Sequence, residues 1–252
     1  MRPAKSCLLC SLPRSGSWLL GLALEDTGLT GHPYPFFCPR VMDYCAATFS
    51  LPSPPPVRAY LDAVFSNALT PNGVFGAKVE WSDLLNFFDL VRAEWPAGTA
   101  WDERQVLEDL LGDVRIVYLE RRDKVREAVS FWRALETGEW ARPAGTEAAW
   151  PDGEPDFGRL DEVFDILAAE DAEWKRFFRD NGFEPLIVTY EDCTRDEESF
   201  GTAIREILDF TGVSVPGDFI PPKPQQERQS DGTSEDIVQR YRARRAGMDR
   251  VT

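Results

Sequence analysis

Apolar residues along the chain form two recurring patterns, short continuous runs and longer helical stripes. The short runs predict buried strands at residues 6–11, 74–80, 114–119 and 185–189. Between them, apolar residues recur three and four positions apart, which predicts helices at residues 17–25, 57–69, 84–92, 102–111, 123–137, 157–181, 195–210 and 234–246. Strands that alternate with helices predict an α/β fold with a mainly parallel central sheet and helices on both faces.

The order of these elements predicts one domain over residues 1–252, a length that suits a single large core. Two segments interrupt the pattern. Residues 138–156 are rich in proline, glycine and acidic residues, and we interpret them as a flexible flap. Residues 221–252 combine a loop with a final helix.

Charge and composition narrow the class of protein. The chain has 28 basic and 43 acidic residues, a net charge of −15, which argues against binding to nucleic acid or to an anionic membrane. Of the five cysteines, Cys7 and Cys10 have the spacing of a metal knuckle, but they fall on a predicted strand, where residues three apart face opposite sides, so we interpret them as buried thiols. The other three cysteines lack metal-ligand spacing, and a single histidine leaves little to complete a metal site. No stretch has the length of a signal-peptide core or a membrane span. We expect a cytoplasmic protein with reduced thiols and no metal.

The loop after the first predicted strand is the strongest candidate for a ligand site. It has the sequence Pro13-Arg14-Ser15-Gly16-Ser17-Trp18 and leads directly into a helix. The first backbone N–H groups of a helix have no internal partner and bind anions, and Arg14 adds donors suited to phosphate or sulfate. The loop lacks the second glycine followed by Lys-Ser/Thr that nucleoside triphosphatases require. A plain serine-rich turn is the alternative interpretation.

Polar residues also end two other predicted strands. Lys78 and Glu80 share one face at the end of the second strand, and Arg121 follows the third. Ligands of open α/β sheets bind at the carboxyl ends of the strands. We therefore expect these side chains to share a site with the loop around Arg14.

These motifs resemble those of sulfotransferases that use 3′-phosphoadenosine-5′-phosphosulfate (PAPS). The loop from Pro13 to Trp18 is similar to their phosphosulfate loop. The segment from Arg121 through Ser130 to Ala134 closely resembles the 3′-phosphate element of the bacterial trehalose 2-sulfotransferase family. Residues 27–37, 70–78, 223–229 and 240–242 continue the resemblance in the same order over nearly the whole chain.

The resemblance implies a sulfotransferase fold with a P-loop-like phosphosulfate loop, commonly dimeric, so we expect a homodimer. PAPS would be the donor, 3′-phosphoadenosine-5′-phosphate (PAP) the product, and a hydroxyl of a sugar, glycolipid or natural product the acceptor. Carried over by position, the loop residues Pro13, Arg14, Ser15, Gly16, Ser17 and Trp18 would bind the 5′-phosphosulfate. Arg121 and Ser130 would bind the 3′-phosphate, and Arg228, within the C-terminal residues 221–252, would close over the nucleotide.

The acceptor loop departs from that family. The trehalose enzymes have a Gly-Glu-Pro-x-Glu-Phe-Phe pattern whose second glutamate is their proposed general base, whereas this chain has Gly-His-Pro-Tyr-Pro-Phe-Phe from residue 31 to 37. Pro35 stands at the position of the base. We expect one wall of the acceptor site to consist of His32, Tyr34, Phe36 and Phe37, with Lys78 beside them. Such a wall is more aromatic and less acidic than that of the trehalose family, and it favours an aromatic or hydrophobic acceptor over a bare disaccharide.

Two residues are candidates for the missing base. His32 titrates near neutral pH and lies on the acceptor loop, although a histidine there could simply bond to backbone. Glu80 ends the sequence Lys-Val-Glu, which resembles the Lys-Thr-His of animal cytosolic sulfotransferases, although it could instead form a structural salt bridge to a nearby arginine. Arg14 is the third catalytic candidate, because its charge would stabilise the transferring group.

The alternative function is a catalytically impaired PAP- or PAPS-binding module that acts as a sensor or scaffold; a kinase-like enzyme is less favoured.

Overall fold

The computed structural model describes residues 2–96, 98, 100–140, 148–223 and 231–248. Within them, parallel strands form a four-stranded sheet of order β2-β1-β3-β4. The strands are β1 (Lys5–Ser11), β2 (Val74–Glu80), β3 (Asp113–Glu120) and β4 (Leu186–Thr189). All four had been predicted from the sequence to within one residue at each end.

Helices separate the strands in the order that the apolar stripes predict. They are α1 (Ser17–Asp26), α2 (Pro39–Thr48), α3 (Val57–Ala68), α4 (Trp81–Glu94), α5 (Glu103–Leu111), α6 (Lys124–Thr137), α7 (Phe157–Asp180), α8 (Tyr190–Cys193), α9 (Glu197–Thr211) and α10 (Gly232–Met248). Two of them, α2 and α8, were not predicted. Pro39 had indicated a loop, but proline fits the first turn of a helix, because a backbone N–H at that position would have no hydrogen-bond partner within the helix.

The sheet is buried on both faces, which confirms the predicted α/β class. Alternate residues of β1 belong to different cores. Leu8 and Cys10 pack with residues of α3 to α7, whereas Cys7 and Leu9 pack with residues of α1 and α9. Apolar burial of this extent is the main favourable term in folding and fixes the strand ends in space.

The strand register brings the polar strand ends together. Ser11 at the end of β1 is level with Glu80 on β2 and with Leu119 on β3. The loop after Ser11 therefore lies between Glu80 on one side and Arg121, which follows β3, on the other. The fold thus gathers at one edge the groups that the sequence had placed at three strand ends.

The acceptor loop runs along the outer edge of the sheet, beside β2. The backbone N–H of Lys78 donates to the carbonyl of Tyr34 at 3.0 Å, and Tyr34 forms an isolated bridge with Ala77. The contact is close because Gly76 has no side chain: a Cβ there would lie 2.3 Å from the carbonyl oxygen of Thr30. This pairing fixes which loop side chains turn toward the core.

Two predicted segments are only partly described. Of the predicted flap over residues 138–156, residues 141–147 lie outside the described part of the chain. In the C-terminal part, Arg228 also lies outside it, so its predicted contact with the nucleotide stays a prediction. Among the described helices, none has both the length and the apolar character that a bilayer span requires.

Candidate active site

A cleft of about 1020 Å³ opens at the carboxyl edge of the sheet. The loop after β1 forms its floor, the ends of β2 and β3 flank it, and α6 forms one wall. Its lining includes Pro13, Arg14, Gly16, Ser17, Trp18, Pro35, Cys38, Lys78, Glu80, Asp83, Arg121, Arg126, Ser130, Arg133, Trp140, Trp150 and Tyr190. A cleft of this size and position is typical of a ligand site in an open α/β fold.

The loop at its floor has the backbone of an anion site. Arg14 and Gly16 have positive φ angles of 65° and 97°, and α1 begins at the next residue, Ser17. A Cβ on Gly16 would lie 2.4 Å from Cδ2 of Tyr190, so only glycine fits beneath that ring. The hydroxyl of Ser15 is fully buried and has no hydrogen-bond partner among the described residues. The exposed N–H groups at the start of α1 would receive an anion here.

Two arginines tie this loop to β3 and α6. Nε of Arg14 donates to the hydroxyl of Ser130 at 3.0 Å, and Nη1 of Arg121 donates to the carbonyl of Arg14 at 3.0 Å. The Arg121 guanidinium lies 4.9 Å from the ring centre of Tyr190. Its buried Nε has no hydrogen-bond partner in the described part of the chain. An unused buried donor beside an anion loop suits a phosphate or sulfate oxygen.

Arg133 adds a third positive charge to this part of the cleft. Burial, followed by repulsion from Arg133 and then from Arg121, lowers the pKa of Arg14 to about 10. A pKa of about 10 leaves Arg14 charged at neutral pH. We call Arg14, Arg121 and Arg133, which all line this part of the cleft, the arginine cluster. Like charges in a half-buried site attract anionic ligands strongly.

A single face of α6 supplies the wall beside the loop. Arg126, Ser130 and Arg133 recur at intervals of four and three residues, so they project from the same side of the helix, and all three line the cleft. Arg126 also contacts Asp123 and Glu235. Of these three residues, only Ser130 had been predicted as a site residue, although the helical spacing of the two arginines was visible in the sequence.

Across the loop, β2 presents Lys78 and Glu80 to the cleft. Because side chains alternate along a strand, both lie on one face, and Nζ of Lys78 is 2.6 Å from Oε1 of Glu80. Both side chains are half-buried or more, with 11% and 27% of their area exposed. Glu80 therefore does form a salt bridge, as in its alternative interpretation, but the partner is Lys78 at the cleft surface rather than an arginine.

Two further carboxyl groups surround Glu80. Asp83 lies in the first turn of α4, and burial, followed by repulsion from Glu80, raises its pKa to about 6. Glu170 on α7 has its pKa raised to about 7 by burial, followed by repulsion from Glu80 and Asp83. Neither residue was identified from the sequence: Asp83 is only three residues after Glu80, but Glu170 comes close to both only in the folded chain.

The predicted acceptor wall is placed differently from expectation. Phe36 and Phe37 are 6% and 0% exposed and belong to the core, where Phe37 stacks on Phe87 at 4.2 Å between ring centres. Tyr60 donates its hydroxyl to the carbonyl of Phe36 at 2.7 Å, which holds this part of the loop inward. Among the described residues that line the cleft, the acceptor loop contributes Pro35, and Cys38 follows the loop directly at the start of α2.

His32 is also outside the lining of the cleft. Its Nδ1 lies 2.5 Å from Oε1 of Glu25 on α1, and its ring stacks on Tyr34 at 5.5 Å between centres. Both side chains of the His32–Glu25 pair are about two-fifths exposed. Tyr34 does not line the cleft either, although its ring packs edge-on against that of Trp18, which does, at 6.0 Å between centres.

Aromatic residues that were not predicted complete the cleft. Trp140 accepts a hydrogen bond from Arg14 through its carbonyl, and Nε1 of Trp150 donates to Asp231 at 3.1 Å. Tyr190 follows β4 directly and covers Gly16. The rule that ligands bind at strand ends could have indicated Tyr190. The two tryptophans lie in the proline- and acid-rich connection, which carried no such signal.

Comparison with known proteins agrees with this geometry. The family model described as Stf0 sulphotransferase matches residues 6–244. The trehalose 2-sulfotransferase of Mycolicibacterium smegmatis is 29% identical over 272 aligned residues, and that of Mycobacterium tuberculosis is 27% identical over 276. Each alignment covers 96% of this chain and 96% of the relative. The chain therefore belongs to the Stf0 sulphotransferase family, and it is a sulfotransferase enzyme.

Proposed function

We propose that this enzyme transfers a sulfuryl group from PAPS to a hydroxyl of a small-molecule acceptor. The observation that carries the proposal is the position of Glu80 in the same cleft as the loop of residues 13–18 and the arginine cluster. One side of that cleft supplies positive charge for an anionic donor, and the other supplies a carboxylate for the acceptor. The buried unused donor of Arg121 and the glycine-only position beneath Tyr190 also suit a nucleotide donor.

The donor would lie along the loop and α6. The N–H groups that begin α1, with the small residues Ser15, Gly16 and Ser17, would hold the 5′-phosphosulfate. Ser130 and Arg121 would hold the 3′-phosphate, as the family resemblance implies. Arg228, outside the described residues, would still be expected to close over the nucleotide.

Glu80 is the proposed general base. Its carboxylate would accept the proton of the acceptor hydroxyl while the acceptor oxygen forms its bond to sulfur. The bond between sulfur and the bridging oxygen breaks, and its electron pair leaves with the phosphate of PAP. Lys78, 2.6 Å from Glu80, would orient the carboxylate and partly neutralise the charge that develops on the transferred group. Arg14 would stabilise the charge left on the donor.

The acceptor end of the cleft combines an apolar wall with carboxyl groups. Trp18, Pro35 and Cys38 line it beside Glu80 and Asp83, and Trp18 is 40% exposed. An exposed indole favours an acceptor with a flat apolar face. We therefore propose a hydroxyl compound of that kind, rather than trehalose, the substrate named for the two mycobacterial relatives. The family resemblance also supports a homodimer, which sedimentation would test.

A screen by mass spectrometry tests the function. The protein is incubated with PAPS and a panel of sugars, phenols, glycolipids and cell metabolites, and products heavier by one sulfuryl group are sought. Such a product with the wild-type chain, strongly reduced in Glu80→Gln, is the expected result. Tight binding of PAP with no transfer to any acceptor would instead support the impaired binding module, and absence of PAP binding would overturn the donor assignment.

A further inference from the structure

The short helix α8 stands beside the segment that follows β3. In the parallel register, Thr189 at the end of β4 is level with Glu120 at the end of β3, and α8 begins at the next residue, Tyr190. Tyr190 and Glu191 both line the cleft, as does Arg121. Glu191 belongs to none of the segments that carry the family resemblance.

The carboxylate of Glu191 binds the backbone of that segment with both of its oxygens. The N–H of Arg122 donates to Oε2 at 2.9 Å, and the N–H of Asp123 donates to Oε1 at 3.0 Å. Both N–H groups lie immediately before α6, which begins at Lys124, so they have no partner within the helix. Hydrogen bonds to a charged acceptor are stronger than neutral ones, and the Glu191 side chain is 30% exposed. Glu191 thus fixes the path of the backbone directly after Arg121.

The Arg121 side chain is held in the same place from other directions. Its guanidinium lies 4.9 Å from the ring centre of Tyr190, and its Nη1 donates to the carbonyl of Arg14 at 3.0 Å. Oε1 of Glu191 is 4.0 Å from Nε of Arg121, which is too far for a hydrogen bond. Glu191 therefore spends its oxygens on the backbone and leaves the buried Nε without an acceptor among the described residues.

We propose that Glu191 is a positioning residue that holds Arg121 where its Nε can bind the 3′-phosphate of the donor. It acts through the two N–H groups that follow Arg121. This inference rests on the proposed function, in which Arg121 binds that phosphate. Glu191 is then a specificity-determining residue for the donor, although it does not itself bind the nucleotide.

A purely electrostatic role of Glu191 predicts the opposite sign. A negative charge 4.0 Å from the donor atom of Arg121 repels an anionic ligand, so its removal by itself should tighten binding. Loss of the backbone contacts should instead let Arg121 move and weaken binding. The direction of the change in Glu191→Gln therefore separates the two roles.

Binding of two nucleotides to the full chain, measured by calorimetry, tests the proposal. PAP and adenosine 5′-monophosphate (AMP) differ only in the 3′-phosphate. Glu191→Gln keeps one acceptor oxygen of two and should weaken PAP binding roughly three- to tenfold, while AMP binding changes by less than about twofold. Asp192→Asn is the matched control, because this neighbouring carboxylate is 59% exposed and pairs with the side chain of Arg122 at 2.5 Å. It should change neither affinity.

Two further variants separate positioning from general stability. In an Arg121→Ala background, Glu191→Gln should change PAP affinity by less than about twofold, because the residue through which it acts is gone. Glu191→Asp keeps the charge but is one methylene shorter, so it cannot reach both N–H groups in the same way. It should also weaken PAP binding and spare AMP, which keeps the test decisive if Glu191→Gln does not fold.

The outcomes distinguish this inference from the proposed function. Unchanged or tighter PAP binding in Glu191→Gln, equal weakening of PAP and AMP, or an undiminished effect in the Arg121→Ala background would overturn the inference. A wild-type protein that does not prefer PAP to AMP, or PAP affinity that Arg121→Ala leaves unchanged, would contradict the donor assignment itself. Weaker PAP binding alone, absent in the Arg121→Ala background, supports both.

Discussion

Nζ of Lys78 lies 2.6 Å from Oε1 of Glu80, and both side chains face the cleft from the carboxyl end of β2. The pair places a carboxylate and an ammonium group side by side, where one can accept a proton and the other can stabilise negative charge. It stands at a strand end, and Pro35 of the acceptor loop lines the same cleft.

Glu80→Gln should lower turnover roughly 10²- to 10⁴-fold, because glutamine keeps the shape of the side chain but lacks its basic oxygen. PAP affinity should stay within about twofold, since Glu80 does not bind the nucleotide in the proposed site. Steady-state kinetics and calorimetry measure the two effects. His32→Ala is the comparison, and it should remain active because His32 pairs with Glu25 outside the lining of the cleft. An active Glu80→Gln together with a folded but inactive His32→Ala would assign the base to His32.

Arg121→Ala should weaken PAP binding by roughly 1.5–3 kcal/mol, the usual scale for a hydrogen bond to a charged group. The variant loses the buried guanidinium and also its bond to the carbonyl of Arg14, which holds the phosphosulfate loop. Arg122→Ala is a close control, because the neighbouring side chain is 64% exposed and pairs with Asp192. Unchanged affinity in Arg121→Ala, measured by calorimetry, would remove Arg121 from the donor site.

Local sequence signals were sufficient for the strands and for the turn from β1 into α1 at residues 12–16. Each strand is a short apolar run bounded by polar or turn residues, and the loop depends only on its own residues and the helix that follows. The parallel register then brought Arg14, Glu80 and Arg121 to one edge, as the rule for strand ends predicts. These features require no knowledge of distant contacts.

The acceptor loop could not be predicted in the same way. Whether Phe36, Phe37 or His32 faces the cleft depends on how the loop crosses the edge of β2, and that depends on the close approach at Gly76. Glu170 on α7 likewise comes close to Asp83 on α4 and to Glu80 only because two helices that are far apart in the sequence pack together. Arg133 was different: its spacing from Ser130 was visible, but a buried arginine cannot be told from an exposed one by helical position alone.

Adenosine-5′-phosphosulfate, which lacks the 3′-phosphate, should bind the wild-type protein at least roughly 100-fold more weakly than PAPS. Without that phosphate, the buried Nε of Arg121 would have no hydrogen-bond acceptor, since Oε1 of Glu191 lies 4.0 Å away, and an unsatisfied buried donor is costly. Competition of each donor against PAP gives the two affinities. Similar affinities would contradict the assignment of Arg121 and Ser130 to the 3′-phosphate.

Buried Glu127 on α6 should make stability depend on pH. Burial raises its pKa from 4.5 to about 7, despite the neighbouring ammonium of Lys124 at 2.9 Å. The folded chain thus keeps a proton that the unfolded chain releases, so the free energy of unfolding should fall as pH rises from about 4.5 to about 7. The contribution is on the order of 3 kcal/mol.

Glu127→Gln removes this titration and should flatten the decline in stability over that pH range, as measured by urea unfolding at several pH values. Glu136→Gln on the exposed side of the same helix should keep the wild-type slope. An equally steep decline in Glu127→Gln would show that other groups cause it, for which Asp83 and Glu170, whose pKa values are also raised, are the next candidates.

Gly16→Ala tests whether the phosphosulfate loop needs glycine for its backbone and for the close approach of Tyr190. The φ angle of 97° is unfavourable for alanine, and the added Cβ would lie 2.4 Å from the Tyr190 ring. The ring must move, and with it the Arg121 guanidinium that lies over it at 4.9 Å. We therefore expect Gly16→Ala to lower both thermal stability and PAP affinity, the latter roughly tenfold or more, by displacing a residue of the donor site.

Gly28→Ala is the matched control, because Gly28 also has a positive φ of 65° but no heavy atom within 4 Å of its would-be Cβ. It should cost only the backbone strain, about 1 kcal/mol, and leave PAP affinity unchanged. If calorimetry shows the same PAP affinity for both variants, contact between Gly16 and Tyr190 does not order the donor site.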